Sequence, residues 1–239
     1  MPKTYHGRQF EQKTARAGLW DGEPMPYAVK SLACDPSKLE GLSEKLVVGH
    51  YVSVYCNTVK RLNVIADQLG RLDFPRSPSF LINALKREEL AALNSMVLHE
   101  IYFESLGGSS MPSGELIEAF QRDFGGFESW HGEFSALGRA QAGRAGWVAL
   151  AWFPREGRLV NLAGTDLEVN LAGAYPVLAL DMHEHAYHMD YGMKAAGYIE
   201  AFMKNINWER VSRRYRAGHQ SGTISLDFGA PEPATTVSH

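Results

Sequence analysis

One short stretch, in which a strand passes into a helix, constrains the fold more than any other part of the chain. A compact apolar run at residues 175–180, with a proline near its start, predicts a buried strand. Residues 186–208 then carry apolar side chains at helical spacing. Asp181 and His185 lie between these two segments and are four residues apart, so that both side chains can point at one spot.

Two interpretations of this pair follow from its chemistry. A carboxylate and an imidazole that converge on one point suit a divalent or trivalent metal ion. The alternative is structural, with Asp181 as a helix cap and His185 as a core histidine. The pair alone does not separate these interpretations, and further metal ligands would have to come from elsewhere in the chain.

Composition limits the classes of protein to which the chain can belong. Its 239 residues, 45% hydrophobic and 21% charged, suit one or two globular domains with a core. A formal net charge of -3 and the lack of a basic run argue against nucleic-acid binding. No apolar stretch is long enough to span a bilayer, and the N-terminus lacks an apolar signal core. We therefore expect a cytoplasmic protein that uses no membrane.

Two long helices are expected in the first half of the chain. A serine opens the first helix at residue 43, and the helical pattern continues to a glycine at residue 70. Residues 71–86 contain two prolines and are interpreted as a connection, and a second helix follows at about 87–106. Two long helices joined by a loop of this length form an antiparallel hairpin. His50 and His99 lie on the apolar faces of these helices, where a lone histidine is more often a core residue than a ligand.

The second half predicts shorter helices and a sheet. Helices are expected at 113–124 and 126–142, strands at 147–153, 158–162 and 175–180, and a last helix ending near residue 215. The predicted fold class is α+β, a long N-terminal helical hairpin followed by an α/β domain with a three-stranded antiparallel sheet. The expected divisions are an N-terminal extension at 1–25, the hairpin at 26–108, the α/β domain at 109–216 and a disordered tail at 217–239.

At the strand-to-helix stretch, the chain resembles the iron/manganese superoxide dismutase family. The family motif Asp-x-Trp-x-His-Ala-Tyr is matched by residues 181–187 in every specified position except the tryptophan, which is His183 here. The Asn-Ile-Asn-Trp-Glu sequence at 205–209 and the Gly-Trp pair at 146–147 are also similar to the family. His50 and His99 stand where the two hairpin ligands of the family would be. The resemblance extends from about residue 26 to residue 215.

The resemblance implies a superoxide dismutase, an oxidoreductase that converts superoxide into oxygen and hydrogen peroxide. It implies one Fe or Mn ion per chain and a homodimer, in which Glu184 reaches the partner copy's third histidine ligand. The implied metal ligands are His50, His99, Asp181 and His185. Tyr187 and Trp147 are expected around the ligands and the dimer contact, and His188 is a competing ligand candidate.

The chain also departs from the family pattern around the ligands. The histidine and tyrosine of the substrate gate correspond to Val54 and Thr58, and the glutamine that bonds the metal-bound solvent corresponds to Ser95 or Thr165. The arginine that attracts the substrate corresponds to Ala195, next to Lys194.

These departures determine the remaining expectations. We expect His183 or Thr165 to approach the metal-bound solvent in place of the missing glutamine and to act as its proton donor. We expect Thr58 and Lys194 to line the path by which substrate reaches the metal. His183 as an inert packing residue stays open as an alternative. Two other functions also remain: a different metalloenzyme, oxygen-dependent or hydrolytic, and a metal-stabilised scaffold on the same ligand set.

Overall fold

The first part of the fold is a long helical hairpin. The structure, a computed structural model, describes residues 26–108, 110–165 and 172–220. Helix α1, Glu44–His50, passes through a π-helical turn at Tyr51–Tyr55 directly into α2, Cys56–Gly70. Helix α3, Ser79–Ser105, returns along α2. Tyr55 contacts Glu100, and Arg61, farther along the first helix, contacts Glu88, which is earlier in α3. The hairpin is therefore antiparallel, as predicted.

Two details of the hairpin differ from the prediction. Helix α3 begins at Ser79 rather than at about residue 87, because Pro78 precedes the helix as its N-cap instead of interrupting it. The first helix is not α-helical throughout, since the π turn follows His50 at once. The short turn before the hairpin, Pro36–Lys38, is present, with the Asp35 side chain accepting a hydrogen bond from the backbone N–H of Ser37.

The second part is built on a three-stranded antiparallel sheet. Helices α4, Glu115–Phe124, and α5, Phe127–Gln141, precede strands β1, Trp147–Phe153, β2, Arg158–Gly164, and β3, Tyr175–Asp181. The strand order is β2-β1-β3, and both pairings are antiparallel. Strand β1 is almost wholly buried, which fits its unbroken apolar sequence. The predicted fold class is confirmed.

The chain after β3 forms several helices instead of the one expected from residue 186 onwards. A 3-10 turn at Glu184–Ala186 is followed by α6, His188–Tyr191, α7, Ala195–Lys204, and α8, Trp208–Gln220. Gly192, with φ +54, ends α6 in a conformation that most residues avoid, and this separates α6 from α7. Helix α8 continues to Gln220, beyond the predicted end near residue 215. The disordered tail expected at 217–239 is therefore wrong at residues 217–220, which belong to α8. The rest of that tail and the extension expected at 1–25 lie outside the described residues.

One hydrophobic core joins the two parts. Tyr102 and Phe103 of α3 belong to the same buried cluster as Leu178 of β3 and Phe202 of α7. Helix α3 therefore packs on the hairpin partner and on β3 at once. This arrangement brings the middle of the hairpin to the end of β3, where Asp181 lies.

Candidate metal centre

Four side chains from four separate elements converge at the end of β3. Candidate ligand atoms of His50, His99, Asp181 and His185 all lie within 4.8 Å of one another, and we call these residues the His/Asp cluster. The Nε2 atoms of the three histidines face one oxygen, Asp181 Oδ2, at 3.1 Å for His50, 3.5 Å for His99 and 3.0 Å for His185. The sheet register places Asp181 opposite Trp147, at the edge that faces the hairpin.

Burial and hydrogen bonding fix the protonation states of the cluster. Burial would raise the pKa of Asp181, but the neighbouring imidazoles of His183, His185 and His50 hold it well below its usual range. Burial also lowers the pKa of His50, and it lowers that of His99 to about 3. The stable combination is thus an ionised carboxylate among neutral imidazoles, which are the forms in which these groups bind metals.

The histidine nitrogens that face the cluster are available for a metal. The Nδ1–H of His99 donates to the carbonyl oxygen of Ser95 at 2.6 Å, so its Nε2 carries the lone pair. The Nε2 atoms of His50 and His99 are buried and have no hydrogen-bond partner among the described residues. Such buried nitrogens are costly unless they bind something. A cation with oxygen and nitrogen preferences therefore fits these residues.

Aromatic side chains pack against the buried members of the cluster. The Trp147 ring stands edge-on to His99 at a centroid distance of 4.9 Å, and Phe103 lies 4.9 Å from His50. Tyr198 donates a hydrogen bond to the carbonyl oxygen of Asp181 at 2.8 Å, and its hydroxyl lies 3.3 Å from that of Tyr102. Sequence reasoning did not find this tyrosine pair, because nothing in the spacing of residues 102 and 198 indicates that they meet.

A surface cavity of about 500 Å³ reaches the cluster from one side. Its lining includes His50, His185, Val54 and Met189, and it is mostly apolar. His185 is the one exposed member of the cluster, with 33% of its side chain accessible. Glu184 and the alternative ligand His188 line the same cavity and are exposed.

The structure brings some predicted site residues to the cluster and places others elsewhere. Tyr187 is buried and stacks on Tyr198 at 5.4 Å. Val54 lines the cavity, whereas Thr58 is not among the lining residues. Lys194 lines a different surface cavity, beside Arg139 and Met193. Thr165 is exposed and follows the end of β2, at the same end of the strands as Asp181 but on the opposite edge of the sheet, directly before a part of the chain that is not described.

His183 lies between Asp181 and the solvent. Its ring stacks on that of His185 at 5.1 Å, and its Nδ1 lies 2.7 Å from Asp181 Oδ1. Its side chain is 22% exposed. The predicted role of His183 as a proton carrier stays a prediction, as does the role of Thr165.

Comparison with known proteins agrees with this geometry. The family model "Iron/manganese superoxide dismutases, C-terminal domain" matches residues 112–214. The superoxide dismutase [Fe] of Cupriavidus metallidurans is 54% identical over 193 residues, which are 81% of this chain and 98% of that protein.

The chain belongs to the iron/manganese superoxide dismutase family. More distant relatives include superoxide dismutase [Fe] of Aquifex pyrophilus, 34% identical over 81% of this chain and 93% of that protein. Superoxide dismutase [Mn] 2 of Haloferax volcanii is 28% identical over 81% of this chain and 94% of its own length. The predicted family and enzyme class are confirmed, and a different metalloenzyme or a scaffold is not favoured. Within the described ranges, no helix has the length and apolar character needed to cross a membrane.

Proposed function

We propose that the chain disproportionates superoxide into oxygen and hydrogen peroxide at one Fe or Mn ion held by the His/Asp cluster. The convergence of three histidine Nε2 atoms on Asp181 Oδ2 is the observation that carries the proposal. Membership of the iron/manganese superoxide dismutase family supports the same function. Iron is the first metal to test, because the relative with 54% identity is named for iron.

The ion would supply one-electron exchange between two oxidation states, which the paired oxidation and reduction of superoxide requires. The chain contributes binding, shape and charge. Asp181 supplies the one carboxylate of the cluster, and the neutral imidazoles of His50 and His99 leave the net charge of a loaded site positive. Trp147 and Phe103 pack against these imidazoles and keep their planes fixed.

Substrate would enter through the cavity lined by His50, His185 and Val54. A positive site attracts a small anion, and the apolar walls around it leave that attraction poorly screened. Thr58 and Lys194, which the sequence places at the access, have weaker support because they do not line this cavity.

We also propose a homodimer whose interface includes His185 and Glu184 and lies beside this cavity, so that substrate can still enter. His185 is exposed although it is a candidate metal ligand, and Glu184, the residue before it, is exposed on the same face. In a symmetric pair, Glu184 of one copy would accept a hydrogen bond from His185 of the other, and each copy would shield the other's ligand. A cytoplasmic location remains a prediction from the sequence.

The decisive experiment measures superoxide decay with protein of known metal content. We expect the chain loaded with Fe or Mn to accelerate decay in proportion to bound metal, and the chelated protein to be inactive. The substitution Asp181→Asn preserves shape but removes the buried negative charge, and we expect bound metal to fall at least about tenfold. Asp73→Asn, on the exposed loop between α2 and α3, is the matched control and should retain metal and activity.

Two results would contradict the proposal. One is a metal-loaded protein that does not accelerate superoxide decay. The other is an Asp181→Asn protein that binds metal and acts like the native chain, because the cluster would then not be the site.

A further inference from the structure

The two oxygens of the Asp181 carboxylate have different partners. Oδ2 faces the Nε2 atoms of His50, His99 and His185. Oδ1 points the other way, where it accepts a hydrogen bond from the backbone N–H of His183 at 2.8 Å and lies 2.7 Å from His183 Nδ1. Asp181 is fully buried, so water cannot substitute for either set of partners.

The ring of His183 must be the donor in its contact with Asp181. An ionised carboxylate can only accept hydrogen bonds, so the proton lies on Nδ1 of His183. Bonds from N–H groups to carboxylates are among the strong hydrogen bonds of proteins. This bond joins residues only two apart, and the extended backbone of His183, with φ -71 and ψ 147, lets its ring turn back to Asp181.

Neighbouring rings hold His183 in this orientation. Its ring is nearly parallel to that of His185, with an angle of 11° between the planes and 5.1 Å between the centroids. Trp147 meets His183 edge-on at 5.9 Å. The two contacts restrict rotation of the imidazole and keep Nδ1 directed at Asp181 Oδ1.

We propose that His183 is a positioning residue, which holds Asp181 Oδ1 with its Nδ1–H and so directs Oδ2 at the metal. The inference rests on the proposed function, because it assumes a metal at the His/Asp cluster. The family motif has tryptophan at this position. The indole N–H is one atom farther from Cβ than imidazole Nδ1 is, so tryptophan offers no equivalent donor next to Cγ.

The consequence concerns how firmly the site holds its metal. Without the Nδ1–H, Oδ1 keeps the hydrogen bond from the backbone N–H of His183 but loses the side-chain bond that opposes rotation of the carboxylate about its Cβ–Cγ bond. Hydrogen bonds of this kind to metal ligands commonly change metal affinity by 10–100-fold. We therefore expect His183 to act on metal retention first and on turnover through it.

The test compares three variants by the rate at which a chelator removes bound Fe or Mn. His183→Phe keeps a flat ring but removes the donor, and we expect metal release to be about 10–100-fold faster. His183→Asn places an amide N–H near the position of Nδ1 and should restore most of the native retention. His131→Phe, on α5 outside the cluster, controls for the loss of a histidine and should behave as native.

Further measurements separate positioning from folding. The metal-free His183→Phe protein should still unfold in one cooperative urea transition, although at a lower urea concentration because a hydrogen bond to a buried carboxylate is lost. The visible absorption of the ferric form should shift in His183→Phe and return in His183→Asn. Native release from His183→Phe would overturn the inference, as would an Asn variant that fails like the Phe variant. If the native chain binds neither metal, the proposed function fails together with the inference. If it binds metal and His183→Phe changes nothing, the inference alone fails.

Discussion

At the scale of single residues, burial sets the ionisation of groups well away from the candidate metal centre too. Cys34 packs against the backbone of Gly107, where an added side chain would collide with the Cβ of Cys34. Burial raises the pKa of the Cys34 thiol to about 11, although Arg210 lowers it somewhat. Burial also raises the pKa of Cys56.

The raised pKa predicts an unreactive thiol at Cys34. Only the thiolate attacks thiol reagents, and a pKa about two units above the ordinary value lowers the thiolate fraction near pH 8 about 100-fold. A Cys56→Ser protein should therefore react about 100-fold more slowly when folded than when unfolded in urea. The rate should climb as the pH approaches 11. The Cys34→Ser protein reports on Cys56 in the same way. Fast labelling of folded Cys56→Ser at pH 8 would contradict the prediction for Cys34.

The residue types of the candidate centre could be predicted from the sequence, but their mutual geometry could not. His50, His99, Asp181 and His185, which the resemblance named together, lie close to one another, and their role as metal ligands stays a prediction. The division of the Asp181 oxygens between His183 and the cluster depends on the direction of side chains after a strand, which the sequence pattern does not contain. The position of Lys194 could not be predicted either, because α6 and the turn at Gly192 place it at another cavity.

At the scale of elements, the end of α3 is fixed by side chains from the last helix. Arg210 of α8 donates hydrogen bonds to the carbonyl oxygens of Glu104 and Leu106, both at 3.2 Å, and of Ala33 at 2.7 Å. The last carbonyls of a helix have no hydrogen-bond partner within the helix. A guanidinium at this end donates to them, and its positive charge is attracted by the negative end of the helix dipole. Arg213, on the same helix, pairs instead with the exposed carboxylate of Glu104.

These two arginines should differ in their contribution to stability. Arg210→Met removes hydrogen bonds from a charged donor to backbone carbonyls, and we expect the free energy of unfolding to fall by about 1–3 kcal/mol. Arg213→Met removes only an exposed ion pair, and the loss should be at most about 1 kcal/mol. Urea unfolding of both metal-free variants beside the native chain measures the difference. Equal losses would show that Arg210 adds nothing beyond a surface charge.

The existence and order of the elements could be predicted more reliably than their internal geometry. Apolar periodicity predicted the hairpin, and the run at 147–153 predicted β1. The π turn at Tyr51–Tyr55 could not be predicted, because it adds one residue to a turn without changing the apolar composition. Val54, inside this turn, lines the cavity, whereas Thr58, one turn after it, does not.

At the scale of the whole molecule, the candidate centre lies where three parts of the chain meet. The hairpin supplies His50 and His99, β3 supplies Asp181, and the 3-10 turn after it supplies His185. Three of these residues are buried within the chain, and His185 is left exposed beside a mostly apolar cavity. Of the four cluster residues, His185 is thus the one that the described parts of the chain leave exposed, and the proposed second copy would cover it beside the cavity.

The proposed dimer can be tested with two exposed methionines. Met189, 56% exposed, lines the cavity beside His185, whereas Met193, 89% exposed, lines the cavity that contains Lys194. A charge placed in an apolar interface must lose its water, so Met189→Lys should weaken association at least about tenfold, or about 1.4 kcal/mol. Met193→Lys, the variant at the more exposed of the two methionines, should leave association unchanged.

Sedimentation velocity at micromolar concentration should give twice the mass of the chain for the native protein and for Met193→Lys. For Met189→Lys, the monomer fraction should grow on dilution. A metal-loaded native protein that sediments as a monomer would rule out the dimer, and equal behaviour of the two lysine variants would place the interface elsewhere.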